Sequence, residues 1–366
     1  MNILFYYPSN HSAVSLSSLM IAFQEQGHRV FLLTQSPEGD LHNDVKPYGV
    51  RTFSFALPKK NPFLFYWKHV RHLSRFVKEH RIDIVYSHLQ QANVVSVFAQ
   101  RSCKARFIIC RHHSDSAFVE HNKNAQRFDR IINRLGKEFI APSQKVYRQM
   151  TEVEKVDPKK IHLIRYGYDF NEYAGPDKNT VAAIREKYPA RLLLIKVARL
   201  IPEKRHMILL KVMCELVKKG CDIKLLLLSE GYLREELEGF VKKNRLENHV
   251  FFLGHRKNVI DHLAAADVVV HVSASEASNN LVKEAALVQR PVIACRDVGD
   301  FDEYLVNGKN SILLSKEKTG TELSDALEKI YSGQTDIRAL GQELESTVRS
   351  LFSIEKVIED YAALNK

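Results

Sequence analysis

Two glutamates, Glu276 and Glu284, are the residues of this chain whose type and spacing first suggest chemistry. They follow the apolar run at residues 268–272, which predicts a buried strand, so both lie beyond that strand's carboxyl end. Open α/β sheets bind their ligands at this end of the strands. A carboxylate readily accepts hydrogen bonds from sugar hydroxyls, so the pair is interpreted as a polyol-binding site. The alternative is a pair of surface glutamates on a solvated helix.

The residues between the glutamates predict the start of a helix. Leu281, Ala285 and Val288 recur at helical spacing, and Asn279 and Asn280 are good N-cap residues. The amide groups and the dipole at a helix N-terminus attract an anion. A ligand with an anionic group at the helix cap and hydroxyl groups bound by the two glutamates would be a nucleotide sugar.

Two cations occupy a similar position in the sequence. Arg199 and Lys204 follow the apolar run at residues 192–198, which predicts another strand. We expect them to meet the same phosphates, since a hydrogen bond to a charged group contributes roughly 1.5 to 3 kcal/mol. A solvated turn is the alternative at this spacing.

Three histidines follow predicted strands of the first half. His112 and His113 come after the strand at residues 106–110, and His11 follows the strand at residues 2–7. A histidine at this edge of a sheet can face a reacting sugar. A surface or buried structural histidine is the alternative for each.

Short apolar runs alternate with helical patterns along the whole chain, which predicts parallel sheets covered by helices. The predicted strands are residues 2–7, 28–34, 83–88, 106–110 and 137–141 in the first half, and 192–198, 224–229, 250–253, 268–272 and 292–295 in the second. Residues 161–170 and the polar segment after them are interpreted as the exit from the first sheet and a linker. The first half lacks Gly-x-Gly-x-x-Gly and a Walker loop, which argues against classical dinucleotide or P-loop binding there.

Composition indicates a globular protein of two domains. The chain has 366 residues, of which 45% are hydrophobic and 27% charged. No apolar run approaches the ~18 residues of a membrane helix, and the amino terminus lacks a signal-type pattern, so we expect a cytoplasmic protein. The five cysteines include no C-x-x-C pair and suggest neither a disulfide framework nor a zinc site.

The net charge of +11 lies entirely in the first half. Residues 1–170 contain 25 Lys and Arg against 14 Asp and Glu, whereas residues 171–366 contain 29 of each sign. This asymmetry predicts different partners for the two domains, with an anionic partner for the first.

Residues 59–81 combine ten Lys, Arg or His residues with five aromatic ones. A basic helix with an aromatic side can rest on an anionic membrane, where each nearby Lys or Arg contributes on the order of 1 kcal/mol. The alternative is an aromatic stripe facing the core, with a solvated basic back. The first interpretation predicts peripheral contact with the inner face of the plasma membrane. Acceptor or membrane contacts are assigned to Asn10, His11, Lys59, Lys60, Trp67, Lys68, Arg71 and Arg75.

Taken together, these motifs resemble the retaining glycosyltransferases of family 4, also called group 1. The resemblance rests on the Glu, seven residues, Glu motif, on A-R-L-x-x-x-K at Arg199 and Lys204, and on the segments FFLGHRKNVIDHLAAADVVVHVSASE and RPVIACRDVGDFDEYL. It covers nearly the whole chain and is much stronger after Ile161. Several motifs in the correct order are more specific than any one of them.

The resemblance implies an α/β fold of the GT-B type, with two facing Rossmann-like, doubly wound parallel-sheet domains and a cleft between them. Residues 1–170 would form the acceptor-binding domain, joined by a crossover helix at about residues 350–366. Residues 171–349 would form the nucleotide-sugar-binding domain.

The resemblance also implies roles for single residues. Arg199 and Lys204 would neutralise the leaving diphosphate, Glu284 would hold the ribose, and Glu276 would hold the donor sugar. His112, with His113 as the alternative, would contact the sugar. The other donor-binding positions implied are Gly254, His255, Arg256, Ser278, Asn279, Asn280 and Leu281.

The implied reaction is transfer of a sugar, with retention at the anomeric carbon, by an enzyme of hexosyltransferase type. We expect a UDP-sugar donor and a saccharide or lipid-linked glycan acceptor, in the synthesis of cell-surface polysaccharide or glycoconjugate. No metal or cofactor is expected if Arg199, Lys204 and the helix end stabilise the leaving group. The alternatives are a nucleotide-sugar epimerase or hydrolase of the same fold, a noncatalytic donor-binding member and, poorly supported, a basic nucleic-acid-binding protein.

Four positions depart from the family pattern. The segment SNHSAV replaces the paired glycines of the first loop, and Tyr166 stands where the family has asparagine. Ser229 and Asp300 each replace a glycine of a loop near the donor. An aspartate beside a diphosphate repels it unless the carboxylate is paired or turned away. Since no cation or glutamate of the site is lost, we expect activity with an altered donor or acceptor geometry.

Overall fold

The structure is a computed structural model that describes residues 1–58, 60–112, 122–171, 175–276 and 278–365. The chain forms two compact units. One contains Met1–Phe170 and Phe352–Lys366, and the other contains Asn171–Leu351.

The first unit is built on a seven-stranded sheet in which all recorded strand pairings are parallel. Its elements are β1 (Asn2–Tyr7), α1 (Val14–Glu25), β2 (Arg29–Thr34), α2 (Asp40–Val45), β3 (Arg51–Ser54), α3 (Pro62–Glu79), β4 (Ile84–His88), α4 (Leu89–Ala99), β5 (Arg106–Cys110), α5 (Lys123–Leu135), β6 (Phe139–Ala141), α6 (Gln144–Arg148) and β7 (Ile161–Leu163). The strand order is β3-β2-β1-β4-β5-β6-β7, so the carboxyl ends of all strands lie on one edge of the sheet.

The first βα unit shows how local pattern leads to this layer structure. Strand β1 has a fully buried middle because helices cover both faces of a parallel sheet. Helix α1 turns its apolar residues, including Leu19 and Phe23, into the core. Gly27 follows the helix with φ of +83°, a left-handed conformation that glycine adopts without strain. The helix and its end therefore follow from the local sequence.

The C-terminal helix α14 (Ile354–Leu364) packs into the core of this first unit. Tyr361 lies edge-on to the ring of Phe23 and to the ring of Tyr86. The hydroxyl of Tyr86 donates to Oδ1 of Asn365 at 2.8 Å. The end of the chain is thus part of the same core as its beginning.

The second unit is built on a six-stranded sheet whose recorded pairings are also all parallel. Its elements are α7 (Lys178–Lys187), β8 (Leu192–Val197), α8 (His206–Lys218), β9 (Ile223–Leu228), α9 (Arg234–Lys243), β10 (Val250–Gly254), α10 (Val259–Ala265), β11 (Val268–His271), α11 (Asn280–Leu287), β12 (Val292–Cys295), β13 (Ile312–Leu314), α12 (Thr319–Tyr331) and α13 (Ile337–Phe352). The strand order is β10-β9-β8-β11-β12-β13. The order reverses between β8 and β11, and the carboxyl ends of these two strands therefore flank the position where such sheets bind ligands.

Three strands, β3, β7 and β13, were not predicted from the sequence. Each has only three or four residues and lies at an edge of its sheet. An edge strand bonds to one neighbour and needs no long apolar run, so its sequence carries little periodic signal. Residues 161–163, interpreted as the exit from the first sheet, form its last strand.

Helix α3 divides its aromatic residues between the core and the solvent. Phe65 and Phe76 are buried, whereas Phe63 is 80% exposed and Trp67 is 46% exposed. The guanidinium of Arg71 lies over the Trp67 ring, 4.8 Å from its centroid. The core-facing stripe is therefore present, and a second aromatic group remains on the surface.

The cationic positions near this second group are also on the surface. Lys60, Lys68, Arg71 and Arg75 are exposed, and Lys59 lies outside the described residues. Across the described part of the chain, no helix is both long enough and apolar enough to cross a bilayer.

Candidate functional site

Two segments meet at the carboxyl edge of the second sheet and bring Lys204 to Glu276. Lys204 ends a 3-10 turn that follows β8, and Glu276 lies in the loop that follows β11. The amide of Ala274 donates to the carbonyl of Glu203 at 2.8 Å and ties the turn to the loop. As a result, Nζ of Lys204 lies 2.5 Å from Oε1 of Glu276, and the side chains are only 15% and 12% exposed.

A buried histidine supports the same carboxylate. Nε2 of His271, the last residue of β11, lies 2.8 Å from Oε1 of Glu276 and 3.1 Å from the hydroxyl of Ser273. Burial lowers the pKa of His271, so its neutral ring donates the Nε2 proton to the carboxylate. Burial by itself would raise the pKa of Glu276, but hydrogen bonds from His271 and Lys204 outweigh it and the pKa lies well below its ordinary value. Glu276 is therefore an ionised hydrogen-bond acceptor.

Lys196, which was not predicted from the sequence, adds an amine near Lys204 and Glu276. It lies on β8 and is fully buried, and its Nζ makes no hydrogen bond to any described residue. Burial, reinforced by the charge of Lys204, lowers the pKa of Lys196 to about 7. The available signal was a single lysine inside the apolar run of β8. The same neighbourhood holds His206, whose pKa burial lowers to about 2, so this ring is neutral.

Helix α11 begins where the sequence predicted, beside Glu276. Asn279 is its N-cap residue, and Oδ1 of Asn279 accepts a hydrogen bond from the amide of Val282 at 3.3 Å. Asn280 and Leu281 open the first turn. The positive end of the helix dipole therefore lies at the same strand edge as Lys204, which suits this edge to an anionic group.

Glu284 lies one turn into α11, as expected from the spacing. Its carboxyl group makes no hydrogen bond or ion pair within the described residues, and burial raises its pKa to about 7. A largely buried carboxyl without a protein partner is suited to paired hydroxyl groups of a ligand.

Arg199 differs from Lys204 in its surroundings. Its side chain is exposed after the end of β8, and it forms no ion pair with any residue that the structure describes. The two predicted cations therefore share one strand edge, with Lys204 held by Glu276 and Arg199 directed to solvent.

The end of β10 supplies the predicted positions Gly254, His255 and Arg256. Gly254 has φ of +70°, and a Cβ there would lie 2.8 Å from Oε1 of Glu230. The carbonyl of Gly254 accepts from the amide of Ser229 at 2.8 Å, and Ser229 itself has φ of +104°. His255 and Arg256 are exposed. Ser229 thus adopts a backbone conformation that favours glycine.

Asp300 is paired inside the protein. Its Oδ2 lies 2.6 Å from Nζ of Lys283, on α11, and accepts from the hydroxyl of Ser278 at 2.5 Å. Pairing is one of the two arrangements expected for this aspartate from the sequence. Its partner Lys283 was not predicted, because a lysine in a helical pattern is usually a surface residue.

In the first unit, His112 is held through both ring nitrogens. Its Nε2 lies 2.8 Å from Nδ1 of His88, and its Nδ1 lies 2.7 Å from the hydroxyl of Tyr166. Burial, with a smaller effect of His112, lowers the pKa of His88 well below its ordinary value. His88 was not predicted as a site residue, although it is the last residue of a predicted strand. The alternative position, His113, lies outside the described residues.

The first loop carries the predicted residues Asn10 and His11. The carbonyl of Asn10 accepts from the amide of Leu41 at 2.9 Å, and the amide of His11 donates to Ser9 Oγ at 3.3 Å. The His11 side chain is exposed at the carboxyl end of β1.

Comparisons with known proteins agree with this geometry. Residues 12–172 match the family model described as Glycosyltransferase Family 4, and residues 191–333 match that of Glycosyl transferases group 1. The N-acetylgalactosamine-N,N'-diacetylbacillosaminyl-diphospho-undecaprenol 4-alpha-N-acetylgalactosaminyltransferase of Campylobacter jejuni is 25% identical over 77% of this chain and 79% of its own length. The lipopolysaccharide glucosyltransferase WaaG of Escherichia coli is 20% identical over 88% of this chain and 87% of its own length.

Solved structures share the fold. HepE of Anabaena in complex with UDP-glucose has a TM-score of 0.83 at 21% identity, covering 100% of this chain and 99% of that one. WaaG, a glycosyltransferase of lipopolysaccharide biosynthesis, has a TM-score of 0.75 at 15% identity, with 99% of both chains covered. The two family matches together cover most of the chain, and the predicted membership is confirmed: this chain belongs to the family 4, or group 1, glycosyltransferases and has their GT-B fold of two Rossmann-like domains.

Proposed function

We propose that this chain is a retaining glycosyltransferase that moves a sugar from a UDP-sugar to a saccharide or lipid-linked glycan in cell-surface polysaccharide or glycoconjugate synthesis. The observation that carries the proposal is the ionised Glu276, paired with Lys204 beside the N-terminus of α11. Support comes from the relatives, since one is named for a diphospho-undecaprenol acceptor and another for lipopolysaccharide. The neighbour HepE was solved with UDP-glucose.

The proposed donor site uses each group for one part of the nucleotide sugar. Arg199, Lys204 and the first turn of α11 bind the diphosphate, and Glu284 accepts the ribose hydroxyls. Glu276 accepts hydrogen bonds from the hydroxyl groups of the sugar, because its low pKa keeps the carboxylate ionised.

The proposed reaction passes through an oxocarbenium-like state. The bond between the anomeric carbon and the diphosphate breaks while the acceptor oxygen attacks from the same face, and the departing diphosphate oxygen takes the acceptor's proton. Lys204, Arg199 and the helix dipole stabilise the growing negative charge, so we propose that no metal is needed.

His112 is proposed to contact the sugar from the first domain. Its ring nitrogens are bonded to His88 and Tyr166, which fix the orientation of the ring. A sugar hydroxyl can then contact the edge of the His112 ring or its backbone. It can also replace His88 or Tyr166 as the hydrogen-bond partner of a ring nitrogen.

We also propose that the surface of α3 rests on an anionic membrane, at the inner face of the plasma membrane. Phe63 and Trp67 offer exposed aromatic rings, and Lys68, Arg71 and Arg75 offer exposed cations on the same helix. Such contact would bring the first domain close to a lipid-linked acceptor.

Thermal unfolding with nucleotides tests the donor site. UDP, GDP, ADP and their sugar conjugates are added without metal to the wild type, to Glu284→Ala and to Glu236→Ala, an exposed glutamate on α9. A ligand at a hundredfold excess over its dissociation constant stabilises the native state by about 2.7 kcal/mol. We expect UDP to stabilise the wild type and Glu236→Ala, and to have little effect on Glu284→Ala. No shift with any nucleotide would contradict the proposal.

Product analysis tests the reaction. A radiolabelled UDP-sugar is incubated with and without saccharide or lipid-linked acceptors, and the anomeric configuration of the product is read by NMR. Acceptor-dependent transfer with the donor's configuration is expected. Acceptor-independent release or isomerisation of the sugar would instead identify a hydrolase or an epimerase.

A further inference from the structure

Three residues from three neighbouring segments form a buried polar group in the second unit. Nζ of Lys283 lies 2.6 Å from Oδ2 of Asp300 and donates to the hydroxyl of Ser278 at 3.1 Å. That hydroxyl in turn donates to Oδ2 of Asp300 at 2.5 Å. The Lys283 side chain is 0% exposed and that of Asp300 is 1% exposed, so the ion pair is removed from water.

Two of the three segments carry proposed donor-binding groups. Ser278 lies in the loop after β11, two residues from Glu276, and Lys283 lies in α11 beside Glu284. Asp300 belongs to the loop after β12, directly after Gly299, which has φ of +56°. The ammonium of Lys283 also lies over the ring of Tyr304, 4.7 Å from its centroid, and that contact ties it to the end of the same loop.

Stability alone does not account for this arrangement. A buried ion pair often contributes no more than apolar residues of the same size, because both charges lose their hydration. Here Oδ1 of Asp300 is buried with no hydrogen-bond partner among the described residues, so the group is not fully satisfied. The best-supported role of buried polar or ionic groups of this kind is to favour one arrangement of the chain over others.

We propose that Lys283, Asp300 and Ser278 act as a positioning clamp that holds the loop after β12 against the N-terminus of α11. The donor-binding part of this inference rests on the proposed function. The clamp fixes the spacing between the amides of the first turn of α11 and the backbone at Gly299, so that both segments bind one diphosphate. It also cancels the charge of Asp300, so the aspartate does not repel that diphosphate.

In the clamp, the side chains of Ser278 and Lys283 hold the loop after β12 and do not bind the donor directly. The Ser278 hydroxyl donates its single proton to Asp300 and accepts from Lys283, so it has no proton left to donate to a phosphate oxygen of the donor. Lys283 and Asp300 act through the loop and do not touch substrate in this arrangement. They are positioning residues.

The experiment compares Lys283→Met, Asp300→Asn, their double variant and the control Arg185→Met. Arg185 pairs with Asp267 at the opposite edge of the same sheet, so its loss removes an ion pair of this unit away from the proposed donor site. The readouts are urea unfolding, hydrogen exchange of residues 278–283 and 297–303, and UDP binding by calorimetry.

We expect each single variant to lose stability and the double variant to regain most of it, because removing both buried charges leaves none unpaired. The double variant should still bind UDP at least about tenfold more weakly than the wild type. Its two loops should exchange hydrogen faster than those of Arg185→Met. Wild-type UDP affinity in a folded double variant, or exchange no faster than in the control, would overturn the clamp.

Two further measurements keep the outcomes separate. If the wild type binds no nucleotide, the proposed function fails, and the exchange rates alone decide whether the clamp orders the loops. If the double variant does not fold, Ser278→Ala replaces it, since this change removes the two hydrogen bonds of the Ser278 hydroxyl and leaves the ion pair between Lys283 and Asp300 in place. Faster exchange in Ser278→Ala than in Arg185→Met supports the clamp, and equal exchange excludes it.

Discussion

The hydroxyl of Tyr166 lies 2.7 Å from Nδ1 of His112, so the residue that replaces the family's asparagine is directly bonded to the proposed sugar-contacting histidine. Tyr166→Phe should lower kcat about tenfold and change stability by about 1 kcal/mol, because it removes the partly buried hydrogen bond to His112 and a longer one, of 3.5 Å, to the carbonyl of Arg111. Initial rates at saturating donor and acceptor measure this. Tyr147→Phe is the control, since the Tyr147 side chain makes no hydrogen bond within the described residues. Equal rates in the two variants would argue against a role in orienting His112.

Lys204 is expected to contribute more to the rate than Arg199, because it is held at Glu276 whereas Arg199 is exposed. Lys204→Ala should raise the barrier by roughly 2 to 4 kcal/mol, the usual effect of losing a preorganised group at a developing charge. Arg199→Ala should lie at the lower end of that range. Kinetics of kcat/KM measure both, with the exposed Lys211→Ala as the control. Turnover at the wild-type rate by both variants would refute the assigned role.

The raised pKa of Glu284 predicts that the free energy of unfolding depends on pH. Burial raises the pKa of its carboxyl from 4.5 to about 7, so the folded protein keeps a proton that the unfolded chain has lost between these values. The proton-linked stability is therefore full below pH 4.5 and is lost as the pH rises to about 7. The wild type should lose on the order of 3 kcal/mol relative to Glu284→Gln over this window. Urea unfolding at several pH values measures it, and parallel curves would contradict the prediction.

The backbone conformation of Ser229 predicts that a glycine at this position would stabilise the protein. Its φ of +104° is a conformation that glycine adopts without strain, whereas serine is strained there by roughly 1 to 3 kcal/mol. Ser229→Gly should therefore increase the free energy of unfolding by roughly 1 kcal/mol, since the more flexible unfolded chain offsets part of the gain. The control is Ser332→Gly, at the C-cap of α12 with φ of −79°, which should be neutral or destabilising. Loss of stability in both variants would show that Ser229 is not strained.

The surface of α3 predicts salt-sensitive binding to anionic membranes. The wild type should sediment with phosphatidylserine vesicles at low ionic strength and be released as salt screens the charges. Binding should fall in Phe63→Ser with Trp67→Ser, and in Lys68→Glu with Arg71→Glu. The control Lys242→Glu with Lys243→Glu changes two exposed cations of α9 and should bind as the wild type does. Failure of the wild type to bind at low salt would end the membrane proposal.

The sequence by itself determined the architecture and the edge at which the site lies. Alternating apolar runs and helical patterns fix which segments become buried strands and which become covering helices, because both depend on local periodicity. The start of α11 at Asn279 and the left-handed end after α1 at Gly27 were predictable for the same reason. The short strands β3, β7 and β13 were missed, because their position depends on a neighbouring strand more than on their own residues.

Only the tertiary structure decided which side chains meet. Lys204 and Glu276 are separated by 72 positions in the sequence, and Tyr166 and His112 by 54. Lys283 and Asp300 come together because α11 and the loop after β12 converge at one edge. Such partners depend on strand order, register and side-chain direction in the folded sheet, which local spacing does not encode. The sequence therefore identified the glutamates and cations of the site, whereas the fold assigned their partners and decided which of them remain charged.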